Sequence, residues 1–341
     1  MHAFSKVKSG HSLLAGAALL ALLGASACSS GGSAGTGGAG GGGVAAGGAG
    51  VPSALVYKPC PVATDIGGFA MTLVSPTIGA QGNGKVKDAV APGDVTQVLA
   101  QSDDGACRIM IGPALTCGTE CANGTTCGPT GTCVHTPVAV SVGKVTLTGL
   151  SSVASIDDKT TAYFTSIAKT AYPPYVVGNG LGLSTAGGVY TPLSLSVRGI
   201  APLDVPDQAL VVAMDQPLTV TWTPVADAAG AGNISITMDI AHHGGIAAQL
   251  ICDWPDTGTG TIPGTLITKL MARGTAGFPI MTIARESVDS ATVEAGCVEY
   301  KVLSSVEKML MVEGVTSCSD SSVPPLPCPS GSACGSDMKC H

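Results

Sequence analysis

The chain reads as mainly β: an antiparallel β-sandwich accompanied by a small disulfide-bonded N-terminal domain and two small disulfide knuckles. Three observations predict this. First, the segments 145–148, 193–197, 218–222, 234–240 and 298–302 alternate apolar residues with Thr, Ser, Asp, Glu or Lys. That period of two buries one face of an extended strand and wets the other. Second, charged residues make up only 11% of the chain while Gly occurs 48 times, a composition that favours short strands and turns over helices. Third, 13 cysteines are more than a reducing compartment would leave to a chain without catalytic signatures.

The N-terminus carries an address. Residues 1–12 hold Lys6 and Lys8 and no acid, and residues 13–25 form an unbroken apolar run, too short for a bilayer span of about 20 residues. Small residues follow, Gly24-Ala25-Ser26-Ala27, and then Cys28. The pattern resembles the lipobox of bacterial lipoproteins, although Ala25 stands where Leu is more usual. The resemblance implies lipid attachment at Cys28 after removal of a signal peptide, residues 1–27. Ser29 in place of Asp resembles lipoproteins sorted to the outer membrane, so the expected location is the cell envelope. An ordinary secretory signal cut after Ala27 is the competing reading. Residues 28–50, almost all Gly, Ala and Ser, make a flexible tether reaching roughly 25 Å.

Residues 51–116 are set apart as a small domain closed by a bridge between Cys60 and Cys107. Knuckle 1, residues 117–137, holds Cys117, Cys121, Cys127 and Cys133, and knuckle 2, residues 313–341, holds Cys318, Cys328, Cys334 and Cys340. From their second cysteine onward both read C-x-x-G-x-x-C-G-x-x-x-x-C, as two copies of one unit do. Pieces this short have no core of their own, so disulfides must hold them. The pairing within each quartet stays open. Structural zinc sites favour C-x2-C pairs, which are absent here. If Cys28 carries lipid, the remaining cysteines pair without remainder.

The body, residues 138–312, contains the alternating segments separated by turn residues such as Asp215-Gln216-Pro217, an arrangement of the immunoglobulin or fibronectin type. Cys252 and Cys297 are the expected inter-sheet bridge, beside Trp222 or Trp254. One helix is expected where Pro263 opens, Leu266, Ile267, Leu270 and Met271 form an apolar stripe, and Gly274 closes.

The segments CPVATDIGGFAMTL, TCGTECANGTTCGPTGTCV, DIAHHGG and LICDWPDTGTGTIPGTLI resemble a cysteine-rich lipoprotein family of Gram-negative bacteria whose members are uncharacterised. That resemblance implies the anchor and the cysteine framework and brings no activity with it.

Candidate chemistry is sparse. No G-x-S-x-G, H-E-x-x-H or P-loop occurs, and the glycines of 178–182 read as a surface loop, so no catalytic residue and no cofactor are expected. The alternative is a secreted hydrolase. His242, His243 and Asp239 are the weak candidates for a metal-binding lipoprotein, because neighbours on a strand point to opposite faces. Tyr163, Phe164, Tyr172, Tyr175 and Tyr190 cluster within a short stretch and are the candidate binding platform for a sugar ring or a protein partner. A net charge of -7 argues against nucleic acid. The expected role is therefore a non-enzymatic binding or structural module for protein or glycan at the cell surface.

Overall fold

The computed structural model describes residues 57–152, 154–158, 162–167, 171–242, 248–319, 327–336 and 338–341. The signal peptide, the tether, Cys28 and His243 lie outside the described residues.

Two hairpins open the chain, β1 (Asp65–Ser75) with β2 (Gly79–Lys87) and β3 (Gln97–Gln101) with β4 (Cys107–Ile111). β5 (Thr125–Cys127) and β6 (Cys133–His135) form the ladder of knuckle 1. β7 (Ala139–Val140), β8 (Val145–Thr148), β9 (Ala154–Ile156), β10 (Tyr163–Ile167), β11 (Gly180–Thr185) and β12 (Ser194–Arg198) follow. After them come β13 (Val211–Val212), β14 (Leu218–Thr221), β15 (Asn233–Asp239), β16 (Ala248–Pro255) and β17 (Thr259–Ile262). A single α-helix among the described residues, α1 (Gly264–Met271), precedes the 14-residue strands β18 (Ile280–Val293) and β19 (Gly296–Met309), and β20 (Met311–Val312) closes the series. No helix among the described residues is long and apolar enough to cross a membrane.

The mainly β sandwich is present, built on a larger sheet than the alternating segments alone account for. Ten strands join in the order β10-β2-β1-β19-β18-β15-β16-β4-β3, with β7 on β2. Every pair in it is antiparallel except β1 with β19, where Phe69 lies opposite Tyr300 and Met71 opposite Val302. Cross-strand partners share a face, so Phe69, Tyr300, Val302, Ile234 and Ile236 all point the same way. Two covering layers bury that inner face. Over one half, the sheet β12-β11-β8-β9 packs Leu147, Leu181, Leu183 and Val197 against Phe69, Met71 and Tyr300. Over the other half, Val220 and Ile262 of the β14–β17 pair, Trp222 just beyond β14, and Leu266, Ile267 and Leu270 of α1 pack on Ile236, Met238 and Leu250. Each fully buried side chain of this kind contributes about 1.5–3 kcal/mol. The helix starts where expected, with Pro263 at its N-cap and Gly274 at φ +100° beyond its end.

Three expectations are corrected. Residues 51–116 do not stand apart as a domain: their first hairpin joins β19 and their second joins β16, on opposite halves of one sheet. The strand order therefore interleaves the cysteines. Cys60 bonds Cys297 and Cys107 bonds Cys252, in place of the sequence-local pairs Cys60–Cys107 and Cys252–Cys297. Cys107 lies directly opposite Cys252 across β4 and β16, within the core that contains Trp222. Finally, the glycines of 178–182 run into a strand, since Gly180 opens β11.

Both knuckles share one connectivity, first cysteine to third and second to fourth: Cys117–Cys127 and Cys121–Cys133, then Cys318–Cys334 and Cys328–Cys340. Their backbones repeat as well. Gly128 N–H donates to Thr132 O and Gly335 N–H to Lys339 O, each at 2.8 Å. A left-handed residue closes each turn, Gly131 at φ +75° and Met338 at φ +58°. The shared motif thus encodes a shared fold.

Candidate functional site

The outer face of the long sheet is polar, as one side of an antiparallel sheet commonly is. At its β10 end it is hollowed into a cavity of about 460 Å³. The hollow follows from side-chain size along β1. Gly68 and Ala70 face outward there, opposite Lys85 and Asn83 of β2 on one side and Glu299 and Lys301 of β19 on the other. Strands lie about 4.8 Å apart, so these walls stand roughly 10 Å from each other across a floor almost without side chains. Gly68 cannot be enlarged, because a Cβ there would meet Glu299 O at 2.1 Å. A bulge at Gly67, φ +103°, sets up this close approach.

Phe164 of β10 extends the first wall. It lies opposite Asn83 and is 55% exposed. Its neighbour Tyr163 necessarily points inward, where the ring meets Phe69 edge-on at 5.3 Å and the phenol oxygen accepts from Val142 N–H at 2.9 Å. The tyrosine platform is corrected accordingly. Tyr163, Tyr175 and Tyr190 are buried, with Tyr175 donating to Ile200 O and Tyr190 to Lys87 O, each at 2.9 Å. Tyr172 packs half-buried against the same core. Of the five aromatics, only Phe164 lines the cavity as an exposed ring.

The charges of the groove are largely committed. Glu299 accepts from Cys60 N–H at 2.6 Å through Oε1 and pairs with Lys301 Nζ at 3.0 Å through Oε2. Burial works to lower the Lys301 ammonium, but the Glu299 carboxylate, helped by Glu286 and Asp65, outweighs it and holds the pKa above its ordinary value. Asp65 accepts from Gly67 N–H at 2.7 Å; burial pushes its carboxyl up, and that hydrogen bond opposes the rise. Lys85 is exposed and has no partner among the described residues. Asp65, Gly68, Asn83, Lys85, Glu299 and Lys301 were not legible as a site in the sequence. The signal was there in GGFA and GNGK, since glycine inside a strand marks close approach.

Further along the outer face, Tyr57 forms a lone parallel bridge to Val288 and donates to Glu286 Oε1 at 3.0 Å and Asp253 Oδ1 at 3.2 Å. Asp253 Oδ2 also accepts from Arg108 Nη1 at 2.7 Å. Burial pushes the Glu286 carboxyl up, with Asp253 and Glu299 adding to the rise and Lys301 and the Tyr57 bond opposing it. The native state then keeps a proton at pH values where the unfolded chain has lost it, so this group makes stability fall as pH rises above the ordinary Glu value of 4.5. Glu286→Gln is expected to remove that slope. Its urea midpoint should exceed that of the parent at neutral pH and converge with it below pH 4.5; an unchanged slope would contradict the assignment.

At the metal candidate, His242 Nδ1 lies 3.5 Å from Asp239 Oδ2, while Asp239 Oδ1 accepts from Ala241 N–H at 2.9 Å and so caps the turn. The knuckle sulfurs that lie close together are all joined in disulfides.

No protein-family model and no curated protein matches the chain. Among solved structures, the crystal structure of chicken CNTN1 FN1-FN3 domains is similar at 9% identity and a TM-score of 0.19, covering 65% of this chain and 66% of that one, just under two thirds.

Proposed function

We propose that the protein is a lipid-anchored envelope module, attached through Cys28, whose outer-face groove binds a saccharide without transforming it. The exposed Phe164 ring at a glycine-floored groove carries this reading. A large apolar ring kept in water beside amide and charged groups is how a protein presents a stacking surface to a sugar face. The groove carboxylates support binding over turnover, since Glu299 has both oxygens engaged and Asp65 holds a backbone N–H. The N-terminal pattern of Lys6, Lys8, a short apolar run and Cys28 supports the anchor.

One preparation tests both parts. The full chain is expressed in a Gram-negative host, partitioned in detergent and applied to a glycan array. The parent should enter the detergent phase and Cys28→Ser the aqueous phase. Phe164→Ala should weaken saccharide binding about tenfold, the loss of one stacked ring. Equal binding by Phe164→Ala, or no glycan bound by the parent, would remove the groove reading.

A further inference from the structure

Resting on the saccharide reading, we propose that the groove selects acidic sugars of the uronate or sialate type, with the ligand carboxylate held by Lys85 while its ring lies on Phe164. Among the cations of the long sheet, Lys87 pairs with Asp94 at 2.6 Å, Arg108 with Asp253 at 2.7 Å, Arg285 with Asp256 at 2.8 Å, Lys301 with Glu299 at 3.0 Å and Lys308 with Asp207 at 3.8 Å. In a chain with 23 acids against 16 bases, that pairing is what the surplus of carboxylates produces. Lys85 is the exception: it stands exposed on the groove wall without a partner among the described residues.

The other groove charges do not compete for the role. Lys301 and Glu299 satisfy each other, and Glu299 is tied further by Cys60 N–H. Asp65 lies three residues before Gly68 at the bulge, bonded to Gly67 N–H. Lys85 therefore offers the groove's unspent hydrogen-bond donors of full charge, and a sugar carboxylate is an anion that such an ammonium holds through charge-assisted hydrogen bonds.

Register fixes the spacing. Asn83 lies directly opposite Phe164, and Lys85 is two residues along β2 on the same face. The Phe164 to Lys85 diagonal is then about 7–8 Å between side-chain origins. A pyranose ring roughly 5 Å across with an exocyclic carboxylate spans that distance, leaving ring hydroxyls beside the Asn83 amide, which both donates and accepts.

Isothermal titration of the full chain in detergent tests the inference, using trigalacturonate, glucuronate and N-acetylneuraminate, each beside its uncharged methyl ester. At least one acid should bind about tenfold more tightly than its ester, as one charge-assisted hydrogen bond provides. Lys85→Gln should erase that preference, Lys85→Glu should reverse it, and raised salt should shrink it. Because Lys85 is exposed, both variants should keep the parental circular dichroism. Esters that bind as tightly as acids, or a preference that survives Lys85→Gln, overturn the acidic-sugar inference and leave saccharide binding standing. Failure of every acid and every ester at millimolar concentration overturns both.

Discussion

Asp256→Ala is expected to destabilise the protein by about 3–5 kcal/mol, the cost of leaving a buried guanidinium without its counter-charge. Asp256 and Arg285 are each 1% exposed and joined by two hydrogen bonds, Nε to Oδ2 at 2.8 Å and Nη2 to Oδ1 at 3.2 Å. Trp222 Nε1–H also donates to Oδ1 at 2.8 Å. The remaining guanidinium donors go to the Pro202, Ala201 and Thr223 carbonyls, which bind the covering layer to β18. Gly232 leaves room for the arrangement, since a Cβ there would lie 2.7 Å from Arg285 Cγ. Substituting both charges by Met and Leu should not restore the parent, because the three carbonyls and the indole N–H lose partners at about 1–3 kcal/mol each where they stay dry. Urea titration followed by Trp fluorescence measures both variants. A loss below about 1 kcal/mol for Asp256→Ala would show that water reaches the site.

The double change Cys60→Ser and Cys297→Ser is expected to cost about 4 kcal/mol in a chain-entropy account. These cysteines are separated by 237 residues. The Cys107–Cys252 bond already ties the intervening chain, so the loop that Cys60–Cys297 closes is roughly ninety residues long. Both sulfurs are buried, and the bridge also positions Cys60 N–H on Glu299. Loss of the bond should therefore loosen the groove wall as well as lower stability. Guanidinium unfolding of the two forms, with hydrogen exchange read at Glu299 and Lys301, measures both effects. Unchanged exchange at those amides would separate the bridge from the groove.

What was legible in the sequence was local. β8, β12, β14 and β15 announce themselves because each has one buried and one wet face, and α1 because Pro263 and Gly274 bracket an apolar stripe. β2 does not announce itself as a strand. Gly79, Gly82 and Gly84 give it little strand propensity, and it is held by neighbours on both sides. The disulfide partners were not legible either, because they depend on which strands lie side by side. The parallel contact of β1 with β19 joins residues more than 200 positions apart, and nothing in the Cys60 environment points to Cys297. For the site, Phe164 was visible as an aromatic among aromatics. Its separation from Tyr163, Tyr175 and Tyr190 needed the register of β10, which sends alternate side chains to opposite faces.

The Cys60–Cys297 bond also sets where a mechanical load would arrive. A pull applied to the chain ahead of residue 57 must first break the Tyr57 and Lys58 hydrogen bonds to the β18 edge and the Tyr57 bond to Asp253 of β16. It then meets Cys60 and passes through the covalent bridge into β19. β19 is a 14-residue strand paired on both sides, with β1 and β18. Tension on a tether would thus be loaded in the middle of the sheet. There, many ladder bonds must give way together, whereas the β1–β2 hairpin, which would otherwise peel away pair by pair, is shielded from the load.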